Sequence, residues 1–268
     1  MRDIHWKSGA RCALSIGIDV DGESLWLSKD PENEHRPGVL SQGAYGPKVG
    51  VGLLLDVLER HALRATFFVP GWTAERYPEV VERIHRSGHE VGHHGYKHEW
   101  PRHDDPRGER DVLEKGVSIL EAITGERPVG YRSPAWELTP STLGFLRDMG
   151  FSYSSNLMDD FVPYLHPEGI VELPVQWLLD DAPYFMFQTR PPSRPLAPAR
   201  QALEAWTEEF HGIYAQGGLL NLTLHPQFSG RPGRLAAFER FLATALSYPD
   251  VWAAPLREVA AYWRESHA

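Results

Sequence analysis

The stretch "RCALSIGIDVDGES", residues 11 to 24, decides the fold class. It is an apolar, β-rich run that passes directly into three acidic residues, Asp19, Asp21 and Glu23. A doubly wound nucleotide-binding sheet usually has a glycine-rich phosphate loop here, after its first strand. Because this loop is acidic instead, the stretch favours a parallel barrel, whose functional residues stand at the carboxyl ends of its strands. An open doubly wound sheet is the alternative.

The rest of the chain repeats the alternation of β-rich and helix-period segments. The predicted strands cover residues 11–18, 64–69, 89–93, 129–132, 151–155, 170–175, 219–224 and 251–254. The predicted helices cover residues 49–61, 111–124, 140–149, 199–215, 234–247 and 255–265, with Gly125 as a helix stop. This pattern predicts an α/β fold, a distorted (β/α) barrel of about seven parallel strands, in a single domain over residues 1–268.

Composition excludes several classes of function. The formal net charge of −9 argues against binding to a phosphate backbone, which needs clustered lysine and arginine. No segment approaches the ~20 apolar residues that cross a bilayer, and the N-terminus lacks the pattern of a secretory signal. We therefore expect a cytoplasmic protein without nucleic-acid or membrane partners. Cys12 is the single cysteine, so no internal disulfide forms, and an inert buried thiol is expected rather than a nucleophile.

A metal site is indicated by the run "HHGYKHE", residues 93 to 99. His94 and His98 are four residues apart, which places both imidazoles on one side of a helical turn. With Asp21 they form a set of two histidines and one carboxylate, which is typical of a catalytic site with open positions. One divalent ion, zinc first and otherwise cobalt, nickel, manganese or ferrous iron, suits this set. A core or surface histidine pair and an aspartate turn are the alternatives.

Other residues at strand ends would complete a hydrolytic site. Asp19 lies two residues before Asp21 and would face the same side of an extended strand, as a general base. Arg132 would hold that base ionised, and His225 would protonate a leaving nitrogen. A backbone N–H after Tyr131 would stabilise the oxyanion. Taken singly, a surface-facing arginine is the alternative for Arg132, and a structural histidine is the more frequent interpretation of a residue such as His225.

Aromatic residues and two long connections could shape the substrate site. Trp136 and Trp177 lie near predicted strand ends, where they could stack on a ring, and we group them with Tyr131 as candidate substrate-binding residues. Packing in the core is the alternative for each. The connections 24–48 and 180–198 are longer than most loops and could serve as lids or subunit contacts.

Four ordered motifs resemble those of the polysaccharide deacetylase family, also called the NodB homology domain or carbohydrate esterase family four. They are "SIGIDVDGE", "VGHHGYKHE", "GYRSPAW" and "LTLHP", between Ile16 and Pro226. The resemblance implies a NodB-like barrel with a divalent metal bound by Asp21, His94 and His98. It also implies that Asp19 is the catalytic base, Arg132 tunes the base, His225 is the catalytic acid, and Asp180 or Asp181 pairs with that acid.

The spacing of the aspartates and the runs "HHGYKHE" and "YRSPAW" resemble those of an intracellular branch of the family. This branch includes the Helicobacter peptidoglycan deacetylase, cyclic imide hydrolases and ureide-type allantoinases. Val20 separates the two aspartates, which are adjacent in secreted members. The resemblance implies a metal-dependent hydrolase of non-peptide carbon–nitrogen bonds that removes N-acetyl groups by metal-activated water. The first alternative is a cyclic imide or ureide hydrolase with a small cytosolic substrate, and the second is a non-catalytic barrel subunit. The substrate is then a glycan or small-molecule amide, and the branch implies a homo-oligomer, such as a tetramer.

Overall fold

The computed structural model describes residues 4–188 and 195–267, and its centre is a curled, mostly parallel sheet. Within these residues the sheet has nine strands. They are β1 (Cys12–Asp19), β2 (Thr66–Val69), β3 (Glu90–His93), β4 (Gly130–Tyr131), β5 (Tyr153–Ser154), β6 (Tyr164–Leu165), β7 (Val171–Glu172), β8 (Leu219–Leu224) and β9 (Val251–Ala253). The spatial order is β6-β7-β5-β4-β3-β2-β1-β8, with β9 paired to β1, and only the β6–β7 pair is antiparallel.

Strand β1 organises the sheet. All eight of its residues are buried, as expected for a strand covered on both faces. It pairs along most of its length with β8, from Ala13–Leu219 to Ile18–Leu224, and at its carboxyl end with β2. Because consecutive strands β1 to β5 lie side by side, the order of strands does not reverse at β1 as it does in a doubly wound sheet.

The open edge of the sheet is partly closed by side-chain and bridge contacts. Asn221 on β8 donates from Nδ2 to the carbonyls of Leu173 and Pro174, which follow β7. Asp180 forms an isolated parallel bridge with Thr223. The sheet therefore curls into a half-barrel, and the predicted α/β, NodB-like fold in one domain is confirmed.

Helices cover the outside of the sheet. They are α1 (Ser24–Lys29), α2 (Pro37–Tyr45), α3 (Val51–Arg60), α4 (Gly71–Arg76), α5 (Pro78–Arg86), α6 (Pro106–Thr124), α7 (Thr142–Asp148), α8 (Ala182–Phe185), α9 (Ala199–Gln216), α10 (Pro226–Ser229), α11 (Pro232–Ala245) and α12 (Leu256–His267). Gly125 ends α6 in the left-handed region, at φ 75°, as predicted. Among the described residues, no helix is long and apolar enough to cross a membrane.

The segment 24–48 differs from its prediction as a long connection. It contains α1, a 3₁₀ turn (Pro31–His35), α2 and the start of a π-helix (Gly46–Gly50). These helices are too short to show a period in the sequence, and they form because Leu25, Trp26 and Leu27 are buried against the core. In the second connection, α8 is helical, while residues 189–194 lie outside the described residues.

Candidate active site

The carboxyl ends of the strands surround one cavity of about 440 Å³. Its floor carries Asp19 at the end of β1, His94 and His98 after β3, and His225 after β8. Parallel strands end at the same edge of a sheet, which is why residues far apart in the chain meet here. The remaining lining consists of Leu25, Ser28, Lys29, Glu99, Trp100, Ala135, Trp136, Trp177, Asp180, Ala182 and Met186.

Asp21, His94 and His98 come together as one candidate metal centre. Oδ1 of Asp21 lies 3.4 Å from Nε2 of His94 and 3.8 Å from Nε2 of His98. Ligand atoms about 2.1 Å from one tetrahedral ion lie roughly 3.4 Å apart, so these spacings suit a shared ion. Oδ1 is buried and has no hydrogen-bond partner among the described residues. An uncompensated buried carboxylate oxygen is costly, so the arrangement fits a bound cation.

The two imidazoles are held in orientations that suit metal binding. Nδ1 of His94 lies 2.7 Å from the carbonyl oxygen of Arg132, so a proton on Nδ1 leaves Nε2 facing Asp21 with its lone pair. His98 has a positive φ of 60°, which is unusual for a residue other than glycine. Burial lowers the pKa of His98 to about 4, so its imidazole is neutral at pH 7. Neutral imidazole is the form that binds metals.

Electrostatics favour positive charge at this centre. Burial alone would raise the pKa of Asp21, but the imidazoles of His98 and His225 lower it below its ordinary value, so Asp21 is ionised. Burial alone would lower the pKa of His94, but Asp19 and Asp21 raise it above its ordinary value. Two carboxylates therefore stabilise a cation beside this histidine.

Asp19 is fixed beside the metal centre by a buried arginine. Nη1 of Arg132 donates to Oδ1 of Asp19 at 3.0 Å. Nη2 of Arg132 donates to Oγ of Ser155 and to Oδ1 of Asn221, and the guanidinium lies over the ring of Phe68. Oδ2 of Asp19 lies 4.0 Å from Nε2 of His94 and lines the cavity. The carboxylate thus keeps one oxygen in the ion pair and turns the other towards the metal centre.

His225 is paired with Asp181, which answers the choice between Asp180 and Asp181. Nδ1 of His225 lies 2.7 Å from Oδ1 of Asp181, and the backbone N–H of His225 and the hydroxyl of Ser229 donate to Oδ2. Asp180 is 3.7 Å from the same nitrogen and accepts from the backbone N–H of Ala182. Burial alone would lower the pKa of His225, but Asp181, Asp21 and Asp180 raise it well above its ordinary value. These three carboxylates therefore favour the protonated form of the imidazole.

Asp180 lines the cavity instead. Burial and the nearby Asp181 raise the pKa of Asp180 to about 7, while His225 opposes the shift. Because Asp180 and His225 both line the cavity, the carboxyl group of Asp180 can contact a polar group of a bound molecule. Asp181, by contrast, contacts the far nitrogen of His225, Nδ1.

Aromatic side chains form one wall of the cavity. The rings of Trp136 and Trp177 lie 4.4 Å apart between centroids at an interplanar angle of 32°, and both line the cavity. Trp100 and Trp177 are 62% and 46% exposed, so they are available at the mouth to an incoming ligand. Trp26, by contrast, is buried against Phe228 in the core.

Tyr131 does not join this wall; it lines a neighbouring cavity together with Glu99 and Trp100, and its role in substrate binding stays a prediction. Its side chain packs against His93 and Phe151, because side chains alternate along β4 and Arg132 takes the inward position. The N–H that follows Tyr131 belongs to Arg132 and donates to the carbonyl of His93 within the sheet. It is therefore not available to an oxyanion.

Three buried polar residues were missed by sequence reasoning. Ser155 and Asn221 bind the guanidinium of Arg132, and Gln227 donates from Nε2 to Oδ2 of Asp21 at 3.2 Å. Asn221 gave a signal, as a lone amide in the apolar run "LLNLTL". Gln227 and Ser155 gave none, because nothing in the chain nearby shows what they contact.

Comparison with known proteins identifies the family of this chain. The family model for polysaccharide deacetylases matches residues 45–154. A peptidoglycan deacetylase of Helicobacter pylori is 32% identical, over 85% of this chain and 88% of the relative. The chain belongs to the polysaccharide deacetylase family. It is accordingly a hydrolase of carbon–nitrogen bonds other than peptide bonds.

Solved structures of polysaccharide deacetylase relatives extend the likeness to the whole fold. A Mycobacterium smegmatis protein provisionally classed as a polysaccharide deacetylase is 42% identical, with a TM-score of 0.95 over 98% of this chain and 93% of that chain. An allantoinase is 26% identical, with a TM-score of 0.85 over 98% of this chain and 93% of that chain. The same fold therefore occurs in proteins named polysaccharide deacetylase and allantoinase.

Proposed function

We propose that this protein is a metal-dependent N-deacetylase that hydrolyses the acetamide group of a glycan. One observation carries the proposal: a candidate metal centre, a carboxylate held by a buried arginine and a histidine–aspartate pair meet at the floor of one cavity. Family membership supports the reaction class, and the Helicobacter pylori relative is named a peptidoglycan deacetylase.

The proposed metal ligands are Asp21, His94 and His98. A divalent ion bound by them would polarise the amide carbonyl and lower the pKa of water at the site towards ~7. We propose zinc first, because two neutral imidazoles and one carboxylate form a common catalytic zinc set. Cobalt, nickel, manganese and ferrous iron are also accepted by such ligands, and metal analysis of the purified protein distinguishes them.

Asp19 is the proposed general base. Its Oδ1 accepts a hydrogen bond from Nη1 of Arg132, which fixes the rotamer of the carboxylate. Its Oδ2 is left to accept a proton from the attacking water, 4.0 Å from the imidazole of His94. Arg132 acts through Asp19, and its own position depends on Ser155 and Asn221.

His225 is the proposed general acid. Asp181 holds Nδ1, so Nε2 faces Asp21 and the cavity, 3.6 Å from Oδ2 of Asp21. The proton on Nε2 would pass to the departing nitrogen when the tetrahedral intermediate collapses. Since the carboxylates around His225 stabilise its protonated form, the acid is ready at neutral pH.

The cavity favours a substrate group of the size of one ring. A volume of about 440 Å³ lies at the lower end of ordinary small-molecule sites. Trp177 packs on the buried Trp136 and offers a ring face for stacking, and Trp100 extends the aromatic surface outwards to where the rest of a glycan could lie.

A cyclic ureide or imide is the second candidate substrate. It is favoured by the likeness to an allantoinase across 98% of this chain. Asp180 also supports it, because its carboxyl group lines the cavity beside His225 and could accept a hydrogen bond from a second N–H of such a ring. The chemistry of both candidates is the same attack on an amide carbonyl.

The test is hydrolysis by the purified protein after its metal content has been measured. An N-acetylglucosamine oligomer, succinimide and allantoin are supplied in parallel, with and without a chelator. Chelator-sensitive release of acetate supports the deacetylase, and chelator-sensitive opening of succinimide or allantoin supports the second candidate. Metal-free protein that hydrolyses any of them at the full rate contradicts the proposal. Assembly into a homo-oligomer and a cytoplasmic location stay predictions from the sequence.

A further inference from the structure

We propose that Gln227 is a positioning residue for the metal-binding carboxylate. Its side-chain N–H would hold Oδ2 of Asp21, so that Oδ1 is the oxygen presented to the ion. The inference rests on the proposed function, because it assumes that Asp21 is a metal ligand. It assigns to Gln227 a role that none of the four motifs carries.

The two oxygens of Asp21 have different surroundings. Oδ2 accepts a hydrogen bond from Nε2 of Gln227 at 3.2 Å and lies 3.6 Å from Nε2 of His225. Oδ1 has no hydrogen-bond partner among the described residues and faces His94 and His98. The two oxygens of an isolated carboxylate are equivalent, so the difference between Oδ1 and Oδ2 comes from the residues around them. Among these residues, Gln227 is the neutral hydrogen-bond donor.

The backbone of Asp21 is fixed independently of Gln227. Its carbonyl oxygen accepts from Oγ1 of Thr73 at 2.6 Å and from Oγ of Ser24 at 2.7 Å. These two bonds hold the turn but do not contact the carboxylate oxygens. Oδ2 accepts a hydrogen bond from Gln227 and lies 3.6 Å from Nε2 of His225, so Gln227 contributes the hydrogen bond that orients the carboxylate.

Gln227 is itself held in place. It is buried in α10, two residues after His225. A Cβ atom at Gly46 would lie 3.0 Å from Oε1 of Gln227, so the π-helix packs closely on the amide. Turning the amide over would place Oε1 against the carboxylate of Asp21, which is repulsive, so Nε2 faces Asp21.

The consequence is that a preorganised ligand binds metal more tightly. Partners that orient a metal ligand typically contribute about 10- to 100-fold in metal affinity. Gln227 also joins two parts of the site, because the short helix that fixes Asp21 begins directly after the proposed acid, His225.

The experiment measures zinc affinity by competition with a chromophoric chelator. Gln227→Met keeps the length of the side chain and removes the donor, and we expect zinc to bind about 10- to 100-fold more weakly. Gln227→Ala also removes the donor, without placing the apolar end of a methionine beside Asp21, and its zinc affinity should fall by a similar factor. The matched control is Gln176→Met, whose amide donates to Glu209 outside the cavity, and its zinc affinity should equal that of the wild type.

A double-mutant cycle separates positioning from general damage. In an Asp21→Ala background, Gln227→Met should cost no further zinc affinity if Gln227 acts through Asp21. The visible spectrum of the cobalt-loaded Gln227→Met protein should also change, because the ligand geometry changes. A merely structural role would lower the unfolding temperature of the metal-free variant and leave zinc affinity and the cobalt spectrum unmoved.

Two results would overturn the inference. Unchanged zinc affinity in Gln227→Met and Gln227→Ala, or an equal loss in the presence and absence of Asp21, would show that Gln227 does not position this ligand. A wild-type protein that binds no divalent ion is a different result, because it overturns the proposed metal site and this inference with it.

Discussion

The two aspartates at and just beyond the end of β1 contact different partners. Asp19 pairs with Arg132, while Asp21 lies against the imidazoles of His94 and His98. Removing the charge of Asp19 should therefore affect turnover, whereas removing the imidazole of His98 should affect metal binding.

The variant Asp19→Asn should keep the metal and lose turnover. Asparagine is of the same size but cannot accept a proton, so kcat should fall about 10²- to 10⁴-fold. His98→Ala should lose metal and activity together, while His103→Ala, on the surface, should lose neither. Metal analysis and kcat measured on the same preparations check this. An active, metal-replete Asp19→Asn protein would refute the role of base.

Asp181→Asn should impair turnover more than Asp180→Asn. Asp181 lies 2.7 Å from Nδ1 of His225 and also binds the backbone N–H of that residue, so it both orients the imidazole and stabilises its charge. We expect kcat to fall about 10²-fold or more for Asp181→Asn. Steady-state kinetics of both variants on one substrate is the measurement, and the reverse order would show that Asp180 supports the acid.

Cys12 should be unreactive in the folded protein. It is fully buried, and burial raises the pKa of its thiol to about 12, so almost no thiolate forms at pH 8. Iodoacetamide at pH 8 should leave the native protein unlabelled and label it after denaturation, as read by intact mass. Labelling of the native protein at the rate of a free thiol would contradict the expectation of an inert cysteine.

At the scale of elements, the short helices after the strands position the site. The π-helix Gly46–Gly50 packs on α10, the short helix that begins directly after His225. π-Helical turns are rare and are often found at functional sites. The close approach depends on Gly50, because a Cβ there would lie 2.2 Å from the carbonyl oxygen of Pro226.

Gly50→Ala should therefore destabilise the protein and disturb the cavity. The backbone of Pro226 must shift to make room, and overpacking of this kind costs about 1–3 kcal/mol. The matched control is Gly144→Ala in α7, where a Cβ meets nothing within 4 Å and should stabilise the helix by about 0.5–1 kcal/mol. Urea unfolding measures both. Equal stability of Gly50→Ala and the wild type would contradict the packing argument.

At the scale of the whole molecule, buried histidines link stability to pH. His89 is buried directly before β3, and its Nδ1 accepts a hydrogen bond from the backbone N–H of Ala65. Burial, with a smaller effect of Arg64, lowers the pKa of His89 to about 4. An unfolded histidine titrates near 6.5, so between these values the unfolded chain binds more protons.

The stabilising effect of neutral His89 should be complete above pH 6.5 and be lost as the pH falls towards 4. His89→Gln keeps an acceptor but does not titrate, so its free energy of unfolding should fall less over this range. Urea unfolding at pH 7 and pH 4.5 compares the two proteins. An identical pH dependence would show that His89 does not contribute to it.

The pattern of residues along the chain was enough to predict the class of fold and most of the groups that we propose for the site. Alternating β-rich and helical segments predicted parallel strands, and residues directly after those strands had to meet at one edge. Six residues could be named in this way because each lies at or just beyond the carboxyl end of a strand: Asp19, Asp21, His94, His98, Arg132 and His225. Helices of ordinary length, such as α6 and α9, were also predicted, since each is long enough to show a period.

Only the tertiary structure decided which of these groups touch. It paired His225 with Asp181 and not Asp180, turned Tyr131 away from the cavity, and brought Gln227 to Asp21. It also made helices of the segment 24–48, whose apolar residues are buried by distant parts of the chain. The physical reason is that strand periodicity is a local property of the chain. A hydrogen bond between residues 21 and 227 depends instead on how the whole sheet curls and on which helices pack against it.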